Sequence, residues 1–157
     1  MTLAEEIVTL ASAKSLTVTC AESCTGGMVA AAITDVAGSS AIFERGFVTY
    51  ANLAKQEMLG VSGATLDAHG AVSEQVAREM AAGARSAARA DVAVAISGIA
   101  GPGGSEFKPE GRVCFALAQN GDVSSETVEF GAIGRANVRA RARDHALRLI
   151  RDALITK

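Results

Sequence analysis

One apolar segment restricts the possible folds more than any other feature of the sequence. Residues 91–96 read Asp-Val-Ala-Val-Ala-Ile, and after the aspartate no polar side chain interrupts the run. A segment of this length that is apolar on both faces is typical of a strand covered by helices on both sides. We therefore predict that it lies at the centre of a sheet.

The segments around this strand alternate between helical and strand patterns. Helices are predicted near 2–14, 25–33, 52–58, 65–69, 73–89 and 135–154, and strands near 16–20 and 41–50, the latter with a glycine bulge. Ser73 and Asn52 are candidate helix caps. Asn120-Gly121 lies between two β-prone segments and indicates a hairpin. The predicted fold is α/β, a three-layer sandwich with a mixed, mainly parallel sheet and helices on both faces.

Composition limits the classes of function. The chain has 157 residues, of which 49% are hydrophobic, so we expect a single domain with one core over 1–157. The net charge of −2 argues against nucleic acid or an anionic membrane as a partner and favours a small metabolite. Three cysteines are too few for a disulfide framework. Because residues 1–14 also lack the pattern of a secretory signal, we expect a cytoplasmic protein.

The loop after the first predicted strand is the first candidate site. It runs from Cys20 through Ser23 to Gly26-Gly27, where a predicted helix begins. The N–H groups at the start of that helix could bind a phosphate or stabilise an oxyanion formed during attack on a carbonyl. A tight strand-to-helix turn, with Ser23 or Thr25 as its cap, is the structural alternative.

Motifs for other chemistries are missing from the sequence. Gly26-Gly27 is followed by Met28 instead of the lysine and hydroxyl residue of a P-loop, and no stretch has the G-x-G-x-x-G spacing of dinucleotide-binding folds. Cys20 and Cys24 have no partner pair at zinc-binding spacing. We therefore expect neither a metal nor an organic cofactor.

A nucleophilic serine needs a base, and the two histidines are poor candidates. His69 lies in a predicted turn and His145 in the arginine-rich last helix, so structural or solvated roles are expected for both. Lys55 is the candidate instead, because partial burial or a nearby cation can lower the pKa of a lysine. Tyr50 ends the preceding strand and could relay a proton. The alternative for Lys55 is a solvated helix lysine.

Three arginines of the last predicted helix form a candidate phosphate clamp. Arg135, Arg139 and Arg143 are spaced four residues apart and should share one helix face. Arg135 also follows Gly134 at the helix start, where backbone N–H groups could meet an anion. A solvated helix face is the alternative.

Five motifs in a fixed order resemble a known family. They are Ala-Glu-Ser-Cys-Thr-Gly-Gly at 21–27, Gly-Ser-Ser at 38–40, Tyr-Ala-Asn-Leu-Ala-Lys at 50–55, Gly-Ala-Val-Ser at 70–73 and Ser-Gly-Ile-Ala-Gly-Pro-Gly-Gly at 97–104. The sequence is similar to the nicotinamide-nucleotide amidase family, PncC, which also occurs as the C-terminal domain of the competence/damage-inducible protein CinA. The resemblance implies hydrolysis of nicotinamide mononucleotide to nicotinate mononucleotide and ammonia, without a metal or cofactor.

The resemblance also implies roles for individual residues. Ser23 would be the nucleophile, Lys55 its base and Tyr50 a proton relay or orienting group. Ser40 would be a further hydroxyl of the site, and Ser23 and Ser40 could exchange roles. The residues implied to hold the nucleotide are Thr25, Gly26, Gly38, Ser39, Ala100, Gly101 and Arg135 or Arg139.

Glu110 and Arg112 depart from the family pattern, which has small or apolar residues beside the 101–104 loop. Two other functions fit the same residues: a non-catalytic module that binds a nucleotide, and a serine–lysine peptidase or esterase with a larger substrate. Members of this family are often oligomers, and the alanine-rich helices could support a homo-oligomer.

Overall fold

The computed structural model describes residues 1–105 and 107–156, in which helices and strands alternate along the chain. The helices are α1 (Leu3–Lys14), α2 (Met28–Thr34), α3 (Asn52–Leu59), α4 (Gly63–His69), α5 (Glu74–Ala88) and α6 (Arg135–Thr156). The strands are β1 (Val18–Glu22), β2 (Phe47–Val48), β3 (Val92–Gly98), β4 (Arg112–Gln119) and β5 (Asp122–Glu129). In this part of the chain, no helix is both long and apolar enough to cross a membrane.

The strands form one mixed sheet in the order β2-β1-β3-β4-β5, with β3 at its centre as predicted. β1 runs parallel to both of its neighbours, β2 and β3. β4 is antiparallel to β3 and to β5. The parallel half therefore brings the carboxyl ends of three strands to one edge, and the antiparallel half is the predicted hairpin.

Alternate side chains of β3 enter two different cores. Val92, Val94 and Ile96 are buried against α1, α2 and α6. Ala93 and Ala95 lie on the other face, in a core that includes residues of α3, α4 and α5. The small alanine side chains let α5 lie close to the sheet. These contacts confirm the predicted α/β sandwich with helices on both faces.

One predicted helix cap is confirmed and one is wrong. The Oγ of Ser73 accepts a hydrogen bond from the N–H of Val76 and caps α5. α3 is capped at Ala51, whose backbone is extended, and Asn52 is already the first residue of the helix. Asn52 therefore cannot accept from the first turn as a cap would.

The strand predicted over 41–50 is mostly irregular. Only Phe47–Val48 pairs as β2, and Ser39–Ala41 forms a short 3₁₀ helix. Gly46 is not a bulge in a paired strand. A Cβ at Gly46 would lie 3.0 Å from the Sγ of Cys20 and 3.1 Å from the ring of Phe43, so a larger residue would have to displace these side chains slightly.

Candidate active site

The carboxyl ends of β2, β1 and β3 place three hydroxyl residues side by side. The register pairs Glu22 with Val48 of β2 and with Ile96 of β3. The amide of Ser23 donates to the carbonyl of Ile96 over 3.0 Å, which continues the pairing by one residue. Because neighbouring strands lie about 4.8 Å apart, the residues that follow are adjacent. These residues are Thr49, Ser23 and Ser97.

Lys55 of α3 reaches Ser23 from one side of this row. Its Nζ donates to the Oγ of Ser23 over 3.0 Å and to the carbonyl oxygens of Thr49 and Tyr50 over 2.8 and 3.1 Å. Only 1% of Lys55 and 7% of Ser23 is exposed. The alternative of a solvated helix lysine is therefore wrong for Lys55.

Ser23 and Lys55 lie in the wall of an open cavity of about 310 Å³. The walls come from the loop after β1, the connection between β2 and α3, residues 71–72, residues 97–105 and the first residue of α6. Ala100 and Gly101, which the resemblance implies hold the nucleotide, line the cavity. Thr25 and Gly26 are not part of its wall.

The side chain of Glu22 accepts hydrogen bonds from the N–H groups at the start of α2. This buried carboxylate accepts hydrogen bonds from the N–H groups of Gly27, Val29 and Ala30 over 3.2, 2.9 and 3.0 Å. The expectation that these N–H groups bind a phosphate or an oxyanion is wrong, because a carboxylate of the chain already occupies them. The sequence offered one signal for Glu22, an acidic residue just before a helix N-terminus.

The loop between Ser23 and α2 is a tight turn. The amide of Gly26 donates to the carbonyl of Ser23 over 3.1 Å, and Gly26 and Gly27 have φ of 58° and 111°. Thr25 is fully buried. Within 1–105 and 107–156, no other residue accepts a hydrogen bond from the amide of Cys24, the residue directly after Ser23; this amide contacts the thiol of Cys24 itself.

Arg139 stabilises this loop through hydrogen bonds to its backbone carbonyl groups. Its Nε donates to the carbonyl of Cys24 over 3.0 Å and its Nη2 to that of Thr25 over 3.3 Å. Arg143 pairs with its neighbour Asp144. The predicted three-arginine clamp is therefore wrong, because Arg139 is turned toward the loop and neither it nor Arg143 lines the cavity.

Arg135 lies at the mouth of the cavity beside Tyr50. Its Nη1 donates to the carbonyl of Gly101 over 2.7 Å, and its Nη2 donates to the hydroxyl of Tyr50 over 3.1 Å. Tyr50 is 62% exposed. The Tyr50 hydroxyl thus contacts Arg135, while its carbonyl contacts Lys55.

Ser40 lies, together with Gly38 and Ser39, near the amino end of β1, whereas Ser23 follows its carboxyl end. Phe43, just after this loop, bridges to Val18, the first residue of β1, whereas Ser23 follows the last. β1 spans roughly 16 Å between the level of Phe43 and that of Ser23. The expectation that Ser40 joins Ser23 in one site of the chain is therefore wrong, and so is the same expectation for Gly38 and Ser39.

The family model described as the CinA C-terminal domain matches residues 1–154. This protein belongs to the CinA C-terminal domain family. The resemblance to the family that the five motifs indicated is thereby confirmed.

Individual relatives agree with this membership. The nicotinamide-nucleotide amidohydrolase PncC of Escherichia coli (strain K12) is 65% identical over 119 residues, which cover 75% of this chain and 72% of that protein. A putative competence-damage inducible protein of Symbiobacterium thermophilum is 51% identical over 163 residues, covering 98% of this chain and 38% of that protein.

Solved structures of the family have the same fold. The competence/damage inducible protein CihA from Agrobacterium tumefaciens aligns with a TM-score of 0.92 at 50% identity, covering 97% of this chain and 93% of that chain. A CinA superfamily protein from Klebsiella pneumoniae 700603 aligns with a TM-score of 0.94 at 36% identity, covering 99% of this chain and 97% of that chain.

In this CinA-type domain the sequence reasoning overlooked Ser97 as a site residue. Ser97 is 1% exposed, lines the cavity and donates from its Oγ to the carbonyl of Ala71 over 2.7 Å. The available signal was a serine at the carboxyl end of the predicted central strand, where ligands of parallel sheets bind.

Of the two residues that depart from the family pattern, one contacts the 101–104 loop. Glu110 accepts a hydrogen bond from the amide of Gly103 over 3.0 Å. Arg112 pairs with Glu129 of the neighbouring strand over 2.6 Å. Both lie outside the cavity wall: the Glu110 side chain supports the loop, and the Arg112 side chain joins β4 to β5.

Neither histidine lines the cavity: His145 packs against other side chains and His69 is exposed, which are the structural and solvated roles expected. His145 contacts the Phe115 ring at 4.4 Å and hydrogen-bonds to Glu126. The carbonyl of His69 accepts from Lys108. Among the residues that the structure describes, no group of three His, Cys, Asp or Glu side chains is placed to hold a metal ion.

Proposed function

We propose that this protein hydrolyses the carboxamide of nicotinamide mononucleotide to nicotinate mononucleotide and ammonia, with Ser23 as nucleophile and Lys55 as base. The observation that carries the proposal is the 3.0 Å contact between Lys55 Nζ and Ser23 Oγ in the wall of a cavity. Relatives named nicotinamide-nucleotide amidohydrolase support the choice of substrate.

As a general base, Lys55 would react as a neutral amine that accepts the proton of Ser23. Burial disfavours the charged ammonium form of a lysine. A neutral amine has two N–H groups and one lone pair. If the N–H groups are donated to the carbonyl oxygens of Thr49 and Tyr50, the lone pair is directed at the hydroxyl of Ser23. The two carbonyl groups would therefore orient Lys55 for general-base catalysis.

Acylation would begin with attack of the Ser23 oxygen on the carboxamide carbon. Lys55 takes the hydroxyl proton as the new C–O bond forms, and the carbonyl electron pair moves onto oxygen. Lys55 then gives that proton to the amide nitrogen. The C–N bond breaks, ammonia leaves and an acyl-serine remains.

Deacylation would use the same base with water as nucleophile. Lys55 takes a proton from the water that attacks the acyl carbon, and the hydroxyl of that water becomes part of the acid product. The proton then returns to the Ser23 oxygen as the acyl bond breaks. The acid is released and the serine is regenerated, so the cycle consumes only the amide and water.

The amide of Cys24 is our candidate for the oxyanion donor. It directly follows the nucleophile, and no other residue in the described ranges accepts a hydrogen bond from it. Arg139 holds the carbonyl groups of Cys24 and Thr25, and Glu22 holds the start of α2. Because both ends of the loop are fixed, the donor needs little reorganisation when negative charge develops.

Arg135 is our candidate for the phosphate ligand. It stands at the cavity mouth, and its contacts with Gly101 and Tyr50 use two of the five N–H donors of an arginine. The remaining donors can bind a phosphate, and the two contacts keep the guanidinium in place.

Ammonia release from nicotinamide mononucleotide, its riboside and free nicotinamide tests the proposal. We expect turnover of the mononucleotide, and an Arg135→Ala variant should raise its KM about tenfold while leaving the riboside KM unchanged. Arg141→Ala, a change at an exposed arginine of the same helix, is the matched control. Tight binding of the mononucleotide without any ammonia would contradict the proposal.

We also propose that the protein works in the cytoplasm as a homo-oligomer. Its three cysteines are free thiols, which suits a reducing compartment. Val48 on the edge strand β2 and Leu53 on α3 are 48% and 63% exposed, as apolar residues of an interface would be. A monomeric mass in sedimentation at all concentrations would contradict the oligomer.

A further inference from the structure

We infer that Ser97 binds the amide nitrogen of the substrate and so selects a carboxamide over a carboxylate. The inference rests on the proposed function, because it names the part of the reacting group that Ser97 recognises. It adds a specificity-determining residue to the Ser23 and Lys55 pair.

Ser97 is placed next to the proposed nucleophile. β1 and β3 are parallel, with Ala21 opposite Ala95 and Glu22 opposite Ile96. The next residues in this register are Ser23 and Ser97, whose side chains point to the same face as those of the alanines. Both residues line the same cavity.

The hydroxyl of Ser97 is committed as a donor. Its Oγ lies 2.7 Å from the carbonyl oxygen of Ala71. A carbonyl oxygen has no proton to give, so the single hydroxyl proton of Ser97 must point at Ala71. The lone pairs of Ser97 that remain can only accept a hydrogen bond.

The carbonyl of Ala71, which accepts the Ser97 proton, lies in a segment that other hydrogen bonds hold in place. Lys108 donates from its Nζ to the carbonyl of Val72 over 2.5 Å and to that of His69 over 2.6 Å. The Oγ of Ser73 donates to the carbonyl of Gly70 over 2.8 Å. These bonds hold the backbone on both sides of Ala71, so its carbonyl stays beside Ser97. A Ser97 hydroxyl that turned to donate toward the cavity would lose its hydrogen bond to that carbonyl.

Because the Ser97 oxygen can only accept a hydrogen bond toward the cavity, it distinguishes a carboxamide from a carboxylate. A carboxamide presents N–H donors, which match the lone pairs of Ser97. A carboxylate presents only acceptors, so its oxygen would face the Ser97 oxygen without a hydrogen bond. A buried site that must hydrogen-bond an N–H group rejects the analogue that lacks it. Ser97 would therefore bind the substrate and weaken the binding of the acid product.

Binding in a Ser23→Ala background tests this inference apart from catalysis. Calorimetry of that variant with nicotinamide mononucleotide and with nicotinate mononucleotide gives the ratio of the two dissociation constants. We expect the amide to bind more tightly, and a further Ser97→Ala change to reduce the preference about tenfold. Ser97→Thr in the same background keeps the hydroxyl and should retain most of the preference.

Thr19→Val is the matched control in the same background. Thr19 is also fully buried in the sheet, and its hydroxyl donates to the carbonyl of Arg45 over 2.7 Å at the opposite edge. It should leave the preference unchanged. A preference that survives Ser97→Ala, or that falls equally in Thr19→Val, would overturn the inference.

Wild-type turnover is measured in parallel, so the two proposals can fail separately. Ammonia release with an unchanged preference in Ser97→Ala would reject the role of Ser97 and leave the amidase proposal standing. If neither mononucleotide binds and no ammonia appears, the amidase proposal fails and the inference falls with it.

Discussion

The Nζ of Lys55 and the Oγ of Ser23 lie 3.0 Å apart, although 32 positions in the sequence separate the two residues. Their contact depends on the register of β1 and β2, which places Thr49 beside Ser23. The carbonyl of Thr49 then accepts a second bond from Lys55 over 2.8 Å. The sheet edge therefore positions both groups of the proposed catalytic pair.

Ser40→Ala should leave ammonia release within about twofold of the wild type. Ser40 is exposed and lies at the edge of the sheet opposite Ser23, so it cannot take part in the same site of one chain. Steady-state kinetics with nicotinamide mononucleotide check this expectation. A loss as large as that of Ser23→Ala would restore Ser40 as a candidate nucleophile.

The sequence was informative where one local pattern decides the structure. The apolar run 91–96 predicted the central strand. Asn120-Gly121 predicted the hairpin, and both residues have the positive φ of a two-residue turn, 52° and 80°. Lys55 could be proposed as a base because it follows a strand end on the same sheet edge as Ser23. Each of these inferences needed only neighbours along the chain and the rules of parallel sheets.

Arg139→Ala should lower kcat about tenfold with little change in KM. The substitution removes the two hydrogen bonds to the carbonyl groups of Cys24 and Thr25, so the loop that carries Ser23 is less well positioned. The free energy of unfolding should also fall by about 1–2 kcal/mol.

Kinetics and thermal denaturation, with Arg141→Ala as the control, measure both effects of Arg139→Ala. A tenfold rise in KM at unchanged kcat would instead place Arg139 on the substrate phosphate, as its helical spacing suggested.

Two predictions were wrong, the arginine clamp and the anion site at α2. The sequence did not show which way Arg139 points or that the N–H groups of α2 are already hydrogen-bonded. A spacing of four put Arg135, Arg139 and Arg143 on one helix, but it did not reveal that Arg139 turns toward the loop. The N–H groups of α2 looked available because Glu22 reaches them only through the turn at Gly26 and Gly27. The direction of Arg139 has no local signal in the sequence, whereas the place of Glu22 just before a helix start was a signal for its contacts.

Cys24 should be unreactive although it adjoins the nucleophile. Burial raises the pKa of the Cys24 thiol to about 11. Only the thiolate reacts, and at pH 7.5 fewer than about one thiol in a thousand is ionised. We therefore expect iodoacetamide at pH 7.5 to leave ammonia release intact. Rapid inactivation, with the label found on Cys24 by peptide mass spectrometry, would contradict this expectation.

The raised pKa of Cys24 also makes the free energy of unfolding depend on pH. Because the pKa of Cys24 is raised in the folded state, the stabilising contribution of the neutral thiol is fully present below the pKa of an unfolded cysteine, about 8.5. It is lost as the pH rises from there through about 11. Denaturant unfolding of Cys24→Ala and the wild type should therefore show less pH dependence in the variant over this range.

The most direct test of the central claim is ammonia release from nicotinamide mononucleotide by Lys55→Met, compared with the wild type. Methionine keeps a long apolar stem in the buried position and removes the amine, so the fold should persist and thermal denaturation can verify it. We predict that kcat falls at least about a thousandfold, as loss of a general base in a serine mechanism requires. Activity within about threefold of the wild type in a folded Lys55→Met protein would contradict the serine–lysine account.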